Sequence, residues 1–210
     1  MEVKNVNTIE VKWWIKKFQE KISSEKSYLT DLDQAIGDGD HGHNMARGTA
    51  EAVKVLEAKT FTCPGNVLKA VAMTFISKIG GASGPLYGSA FLKISQTLGI
   101  EETIKDALFI SALREGEKAL RQRGKAVLGE KTMIDVWSPV VAELEKANSL
   151  NHEKMRATAE SCMKATEILE AKKGRAAYLG KRSVGHIDAG AYSSYLLFLS
   201  LAETLAKRGE

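Results

Sequence analysis

Apolar residues recur every three or four positions along almost the whole chain, and this spacing excludes most folds before any motif is considered. Val11, Ile15, Phe18 and Ile22 fall on one helical face with Trp14 beside them. Met45, Thr49, Ala52 and Leu56 form a second stripe, and Leu68, Val71, Phe75 and Ile79 a third. Leu86, Ala90, Ile94 and Leu98 follow, then Ile104, Leu108, Ala112 and Ala119. Met133, Val136, Val140 and Leu144 make the sixth stripe, Met155, Ala159, Cys162 and Leu169 the seventh, and Tyr195, Leu199, Ala202 and Leu205 the last. None of these eight segments alternates with a strand's period of two, and each stripe reads as a core-facing helix side rather than a cofactor box. Pro64 and Pro85 fall near helix starts, where proline is tolerated, while Pro139 inside a segment predicts a kink or a late start. Glycines cluster between the stripes, and short connections make antiparallel neighbours. The expected fold is all-α, a barrel or bundle of about eight antiparallel amphipathic helices. The whole chain, 1–210, reads as one domain.

Composition removes several classes of function. The net charge of +4 is spread along the chain, without the dense basic runs and interleaved aromatics of a nucleic-acid binder. Cys63 and Cys162 stand far apart with no CxxC spacing, which argues against a disulfide framework or structural zinc and suits a reducing compartment. Met1 to Thr8 is polar and lacks the apolar stretch of a secretory signal. No apolar run is long enough to span a bilayer. The expectation is a cytoplasmic protein without nucleic-acid or membrane partners.

The most informative segment runs from Leu32 to Asn44. Asp33, Asp38 and Asp40 lie within eight residues, interleaved with Gly37, Gly39 and Gly42. Bringing three carboxylates together costs repulsion that a divalent cation removes, and hard oxygen ligands suit Mg or Ca. The glycines let the backbone turn tightly enough to converge them. An EF-hand whose loop began at Asp38 would need a Glu at its twelfth position, where Thr49 stands. The G-x-G-x-x-G match lacks the preceding strand of a dinucleotide fingerprint, and its acidic interior repels pyrophosphate unless metal ions intervene. A solvated acidic turn with Asp40 as helix cap is the plain alternative.

Three other loops are weak singly. Gly80-Gly81-Ala82-Ser83-Gly84-Pro85-Leu86 opens a helix whose N–H groups can face an anion. Lys172-Lys173-Gly174-Arg175 offers a phosphate clamp in Arg175, or simply a basic helix end. His186 and Asp188 stand beside Gly185 and Gly190 in the longest stretch without periodicity. In an antiparallel bundle alternate loops share an end, so the loops at 33–44, 80–85, 124–133 and 172–190 are expected to meet there. That arrangement suits a metal-bridged polyphosphate.

In combination and in order, Gly37-Asp38-Gly39-Asp40-His41-Gly42, Gly80-Gly81-Ala82-Ser83-Gly84-Pro85-Leu86, Asp135-Val136-Trp137, Lys173-Gly174-Arg175-Ala176 and Tyr178-Leu179-Gly180 resemble the L subunit of bacterial dihydroxyacetone kinase. The resemblance covers almost the whole chain and implies a barrel of eight antiparallel helices. It implies that Asp33, Asp38 and Asp40 bind two Mg ions bridging the phosphates of ADP or ATP. It places His41, Gly42, His43, Asn44, Ala82 and Ser83 against the nucleotide, with Gly124, Met133, Arg175, Asp188, Ala189 and Gly190 completing the pocket. The family usually has Pro between the Asp and Gly of the last loop, where this chain has Ala189. A separate K subunit would hold dihydroxyacetone. A phosphohistidine M subunit of the phosphotransferase system would rephosphorylate bound ADP. Since the chain has no K region, the separate-subunit form is expected, and a homodimer is allowed. No residue here is expected to act as nucleophile. Alternatives are an L-like subunit serving another small ketose or an acyl substrate with ATP, a nucleotide-sensing interaction protein, and a helical scaffold with an acidic loop.

Overall fold

The computed structural model describes residues 5–207. The polar start on which the absence of a signal was expected lies partly outside them, at residues 1–4. In chain order the elements are β1 (Asn5–Asn7), α1 (Thr8–Ser24), α2 (Lys26–Ile36), α3 (His41–Ala58), α4 (Pro64–Lys78), α5 (Ser83–Leu98), β2 (Thr103–Lys105), α6 (Asp106–Gly124), α7 (Ile134–Ala147), α8 (His152–Ala165) and α9 (Ala189–Ala206). Short 3-10 turns cover Thr166–Ile168 and Arg175–Ser183, the latter interrupted at Gly180.

Each helix from α3 to α9 packs on the next, α9 packs on α1, and α1 packs on α3. The eight helices carrying the eight expected stripes thus close into a ring. The ninth, α2, has only Leu29 and Ile36 buried, too few for a stripe, and lies over α3 and α9. The two strands, three residues each, pair antiparallel with Val6 opposite Ile104 and are too short to show alternation.

Local chemistry sets the helix boundaries. Asn7 and Glu10 form a reciprocal capping box at the start of α1, with Glu10 N–H donating to Asn7 Oδ1 at 3.0 Å and Asn7 N–H to Glu10 Oε2 at 2.8 Å. Pro64 is the first residue of α4. Asn151 and Asp188 cap α8 and α9 through side-chain oxygens. Pro139 sits inside α7, which begins five residues earlier at Ile134.

The ring is filled by aromatics. Trp14 stacks on Phe91 at 5.6 Å and meets Phe109 edge-on at 6.0 Å, and Phe75 meets Phe91 at 5.3 Å. The Trp14 indole N–H donates to the Leu197 carbonyl at 3.0 Å, tying α1 to α9. Leu86 of α5 is half-buried, and in α8 Cys162 is half-buried beside a buried Met163 while Leu169 lies beyond the helix end; two further stripes differ more. The buried face of α6 is Phe109, Ile110, Ala112, Leu113, Gly116, Glu117 and Leu120, with Leu108 and Ala119 at its margin. Glu117 can stand there because Arg114, Arg121 and Ser138 all bond to its carboxylate. In α9 burial extends round nearly the whole helix, while Tyr195 stays half-exposed.

Candidate functional site

The four loops expected to share an end of the bundle line one cavity of about 510 Å³. Asp33 and His41 come from the first, Ala82 and Ser83 from the second, Gly124 and Met133 from the third, and Asp188, Ala189 and Gly190 from the fourth. Beside it one carboxylate oxygen from each of Asp33, Asp38 and Asp40 lies within 4.8 Å of the others. That convergence of hard, anionic oxygens fits a divalent cation.

The acidic loop is built around Asp33. Its Oδ2 accepts the backbone N–H of Asp40 at 2.8 Å and of His41 at 3.1 Å, so it holds the turn and the start of α3. Two glycines make the geometry possible. A Cβ on Gly37 would stand 2.3 Å from Asp33 Oδ1, and one on Gly42 2.2 Å from the Lys26 carbonyl. The second contact shows why Gly42 is not in the cavity: it is the point where α3 crosses α2.

Three other expected residues also stand outside the lining. His43 is exposed and reaches Thr30 Oγ1 at 3.4 Å. Asn44 is buried beneath Gly80 and accepts from Arg47 at 2.7 Å. Arg175 pairs with Asp38 at 3.0 Å, while its neighbours Lys173 and Gly174 line the cavity. The Ala189 that replaces the expected proline is the first residue of α9. Either residue suits that position, so the Asp188 cap is preserved.

The lining also contains residues the loops did not announce: Leu86, Leu120, Arg123, Ala126, Thr132 and Ile134, and above all Lys131. Lys131 is 1% exposed, with φ of 59°. Its ammonium donates to the carbonyls of Thr166 at 2.5 Å, Glu167 at 3.4 Å and His186, fastening the last loop to the third. Burial lowers its pKa, against the opposing pull of Asp188, Glu167 and Asp135. Asp135 accepts from Gly129 N–H at 2.5 Å and Thr132 N–H at 2.7 Å and shapes the loop. A lysine before a helix start carries no sequence signal for such a role.

Burial sets the charge state of two lining residues. His41 is pushed down to about 4, with Asp33 opposing, and its ring is neutral. Its Nε2 lies 3.0 Å from Ser193 Oγ and its Nδ1 3.0 Å from Ser83 Oγ. Asp188 is pushed up from 3.8 to about 7 by burial, against the Ala191 N–H bond and Lys131. A folded carboxyl that titrates higher than the unfolded one keeps its proton longer, so it lowers stability as pH rises from about 4 to about 7. His41 acts in the opposite direction between about 4 and 6.5. Asp188→Asn retains a capping oxygen and removes the first effect. Its thermal midpoint is expected to match the parent's near the low end of that range and to exceed it by several degrees above neutrality. A constant offset in midpoint across the pH series would contradict the assignment.

Among the described residues no helix is long and apolar enough to cross a membrane. A family profile described as the DAK2 domain matches residues 35–203. The chain is 50% identical over 195 residues to the PTS-dependent dihydroxyacetone kinase, ADP-binding subunit DhaL, of Lactococcus lactis subsp. lactis (strain IL1403), across 92% of this chain and 95% of that one. It is 40% identical over 195 residues to the PEP-dependent dihydroxyacetone kinase, ADP-binding subunit DhaL, of Escherichia coli (strain K12), across 90% and 93%. The crystal structure of the C. freundii dihydroxyacetone kinase in complex with AMP-PNP and Mg2+ superimposes with a TM-score of 0.76 at 22% identity. That match covers 96% of this chain and 35% of the larger one, and it establishes the fold. The chain belongs to the DAK2 domain family and, within it, to the L subunits of bacterial dihydroxyacetone kinases.

Proposed function

We propose that this chain is the nucleotide-holding subunit of a phosphotransferase-linked dihydroxyacetone kinase. A phosphohistidine M subunit phosphorylates ADP in place, and the phosphoryl group passes on to dihydroxyacetone held by a separate K subunit. The observation that carries this reading is the joining of the three-aspartate cluster to a cavity lined by all four loops. The names of the relatives in L. lactis and E. coli support it. The reading treats the chain as a single nucleotide-binding domain at work in the cytoplasm.

Phosphoryl transfer asks a protein mainly to position groups and neutralise charge. Two Mg ions held by Asp33, Asp38 and Asp40 would neutralise the nucleotide phosphates. The chain's own residues do the rest. The apolar wall of Leu86, Leu120, Ala126, Met133 and Ile134 takes the base. Ser83 and the N–H groups at the start of α5 face phosphate oxygens. Arg175, which pairs with Asp38 at 3.0 Å, would steady the remaining phosphate oxygens. No side chain forms a covalent bond, and the base for the sugar hydroxyl comes from the K subunit.

The test is to denature the purified protein, identify any released nucleotide by mass spectrometry, and titrate the stripped, refolded protein with ADP with and without Mg. Released ADP and Mg-dependent rebinding are expected. Folded protein that takes up no Mg-ADP would end the proposal. Binding without phosphoryl transfer, for any combination of K and M subunits, would leave a nucleotide sensor in its place.

A further inference from the structure

Behind the cavity a file of buried polar groups runs from the core to its wall. The Trp137 indole N–H donates to Ser194 Oγ at 3.2 Å. Ser194 Oγ lies 3.1 Å from the Tyr87 hydroxyl, which lies 2.8 Å from Ser193 Oγ. Ser193 Oγ lies 3.0 Å from His41 Nε2, and His41 Nδ1 lies 3.0 Å from Ser83 Oγ. Tyr87, Trp137, Ser193 and Ser194 are fully buried, whereas Ser83 reaches the cavity. Apolar side chains would fill the same space without the cost of desolvating these groups. Tyr87 and the two serines are not part of the lining.

Each hydroxyl has one proton, so the file has a direction. Trp137 can only donate, so Ser194 accepts from it. If the proton of Ser194 then goes to Tyr87, that of Tyr87 goes to Ser193, and that of Ser193 to His41 Nε2. With Nε2 accepting, the ring carries its proton on Nδ1, which lies 3.0 Å from Ser83 Oγ, and gives it to Ser83. In the reverse direction Ser194 accepts from both Trp137 and Tyr87, and its own buried proton is left without a partner in the file, a cost of the order of a lost hydrogen bond. Ser83 would then spend its proton on His41 and turn only lone pairs to the cavity. Ser193 is the branch point, since it also reaches the Gly190 carbonyl at 3.1 Å. If its proton goes there, Nε2 must donate and the tautomer inverts.

From this file we infer that Tyr87 and Ser193 are positioning residues which hold His41 as its Nδ1–H tautomer, so that the Ser83 hydroxyl is free to donate to a phosphate oxygen of the bound nucleotide. The inference rests on the cavity being the nucleotide site. The file spans α3, α5, α7 and α9, so the donor at the cavity wall is set by four helices at once.

The chain has four histidines, so nitrogen-15 NMR of histidine-labelled protein can resolve each ring, and the His41 signals are assigned by their loss in His41→Asn. With Mg-ADP bound, the His41 ring is expected to show a protonated Nδ1 and a bare Nε2, and Ser193→Ala is expected to disturb that pattern. By calorimetry, Tyr87→Phe and Ser193→Ala are each expected to weaken Mg-ADP binding by about fivefold, the worth of one hydrogen bond. In a Ser83→Ala background neither change should cost further affinity, because the group being aimed is gone. Thermal unfolding of each variant separates simple destabilisation from this effect. A protonated Nε2 in the parent, or equal losses with and without Ser83, overturns the relay while leaving the nucleotide site standing. Parent protein that binds no Mg-ADP overturns the nucleotide reading and the relay with it.

Discussion

Exchanging Asp38 for asparagine is expected to weaken Mg-dependent ADP binding by about a hundredfold, the upper end of what losing even an outer-sphere partner causes at metal sites. Most phosphoryl transfer is expected to go with it, while the unfolding midpoint barely moves. The two halves of this expectation have different causes. Asp38 is exposed and its ion pair is with Arg175, whose side chain is 70% exposed. A pair that open to solvent contributes little to stability. Removing one of three carboxylates crowded within 4.8 Å also relieves repulsion. For a cation the same change replaces a charged oxygen by a neutral amide, and the attraction that assembles the site falls with it. Calorimetry with and without Mg, beside a thermal melt, reads both halves. A Kd within about twofold of the parent's would take Asp38 out of the cation site.

Trp14→Ala has the opposite profile. Trp14 is 1% exposed, stacked on Phe91, edge-on to Phe109, and bonded through its indole to Leu197 of α9. Deleting a buried tryptophan costs about 3–5 kcal/mol, a large share of the 5–15 kcal/mol that holds typical domains. Chemical denaturation followed by far-UV circular dichroism is expected to show the midpoint falling with an unchanged slope. Trp14→Phe refills most of the volume and gives up the N–H bond, for a loss of about 1 kcal/mol. If the alanine variant were no less stable than the phenylalanine one, the ring interior would be more loosely filled than the stacking distances indicate.

Much of this architecture is legible in the chain because it depends on short-range spacing. The stripes at Val11–Ile22, Met45–Leu56, Leu68–Ile79 and Met133–Leu144 are buried as expected, since an amphipathic helix states its inner face in its own letters. The helix from Lys26 to Ile36 does not, because two buried side chains make no period. The last helix misleads differently. Flanked by α1 and α8 and overlaid by α2, it is apolar on nearly all sides, so choosing one face was arbitrary. In α6 the burial of Glu117 depends on arginines on its own helix and a serine from α7, a partnership the apolar spacing does not show.

The site divides the same way. Asp33, Asp38 and Asp40 are close in the chain and their convergence follows from a tight loop. The meeting of four loops follows from antiparallel order alone. By contrast, Lys131 finds its carbonyls 35 and 55 residues away, and Tyr87 meets Ser193 at a separation of 106. A buried lysine and a buried tyrosine are unremarkable letters until the tertiary partners that satisfy them are known.

The position of α9 bears on how the protein is made. It is the closing stave of the ring, it brings Asp188, Gly190 and Ser193 to the site, and it is synthesised after the other seven helices of the ring. Until its final turns emerge, the inner sides of α1 and α8 have nothing to pack against, and so many distant contacts left to form favour slow closure. A nascent chain stalled ahead of Ala189 would display a greasy seam along its length, an invitation to chaperones and proteases. Ligand competence and escape from quality control would therefore arrive together, in the same few seconds of synthesis.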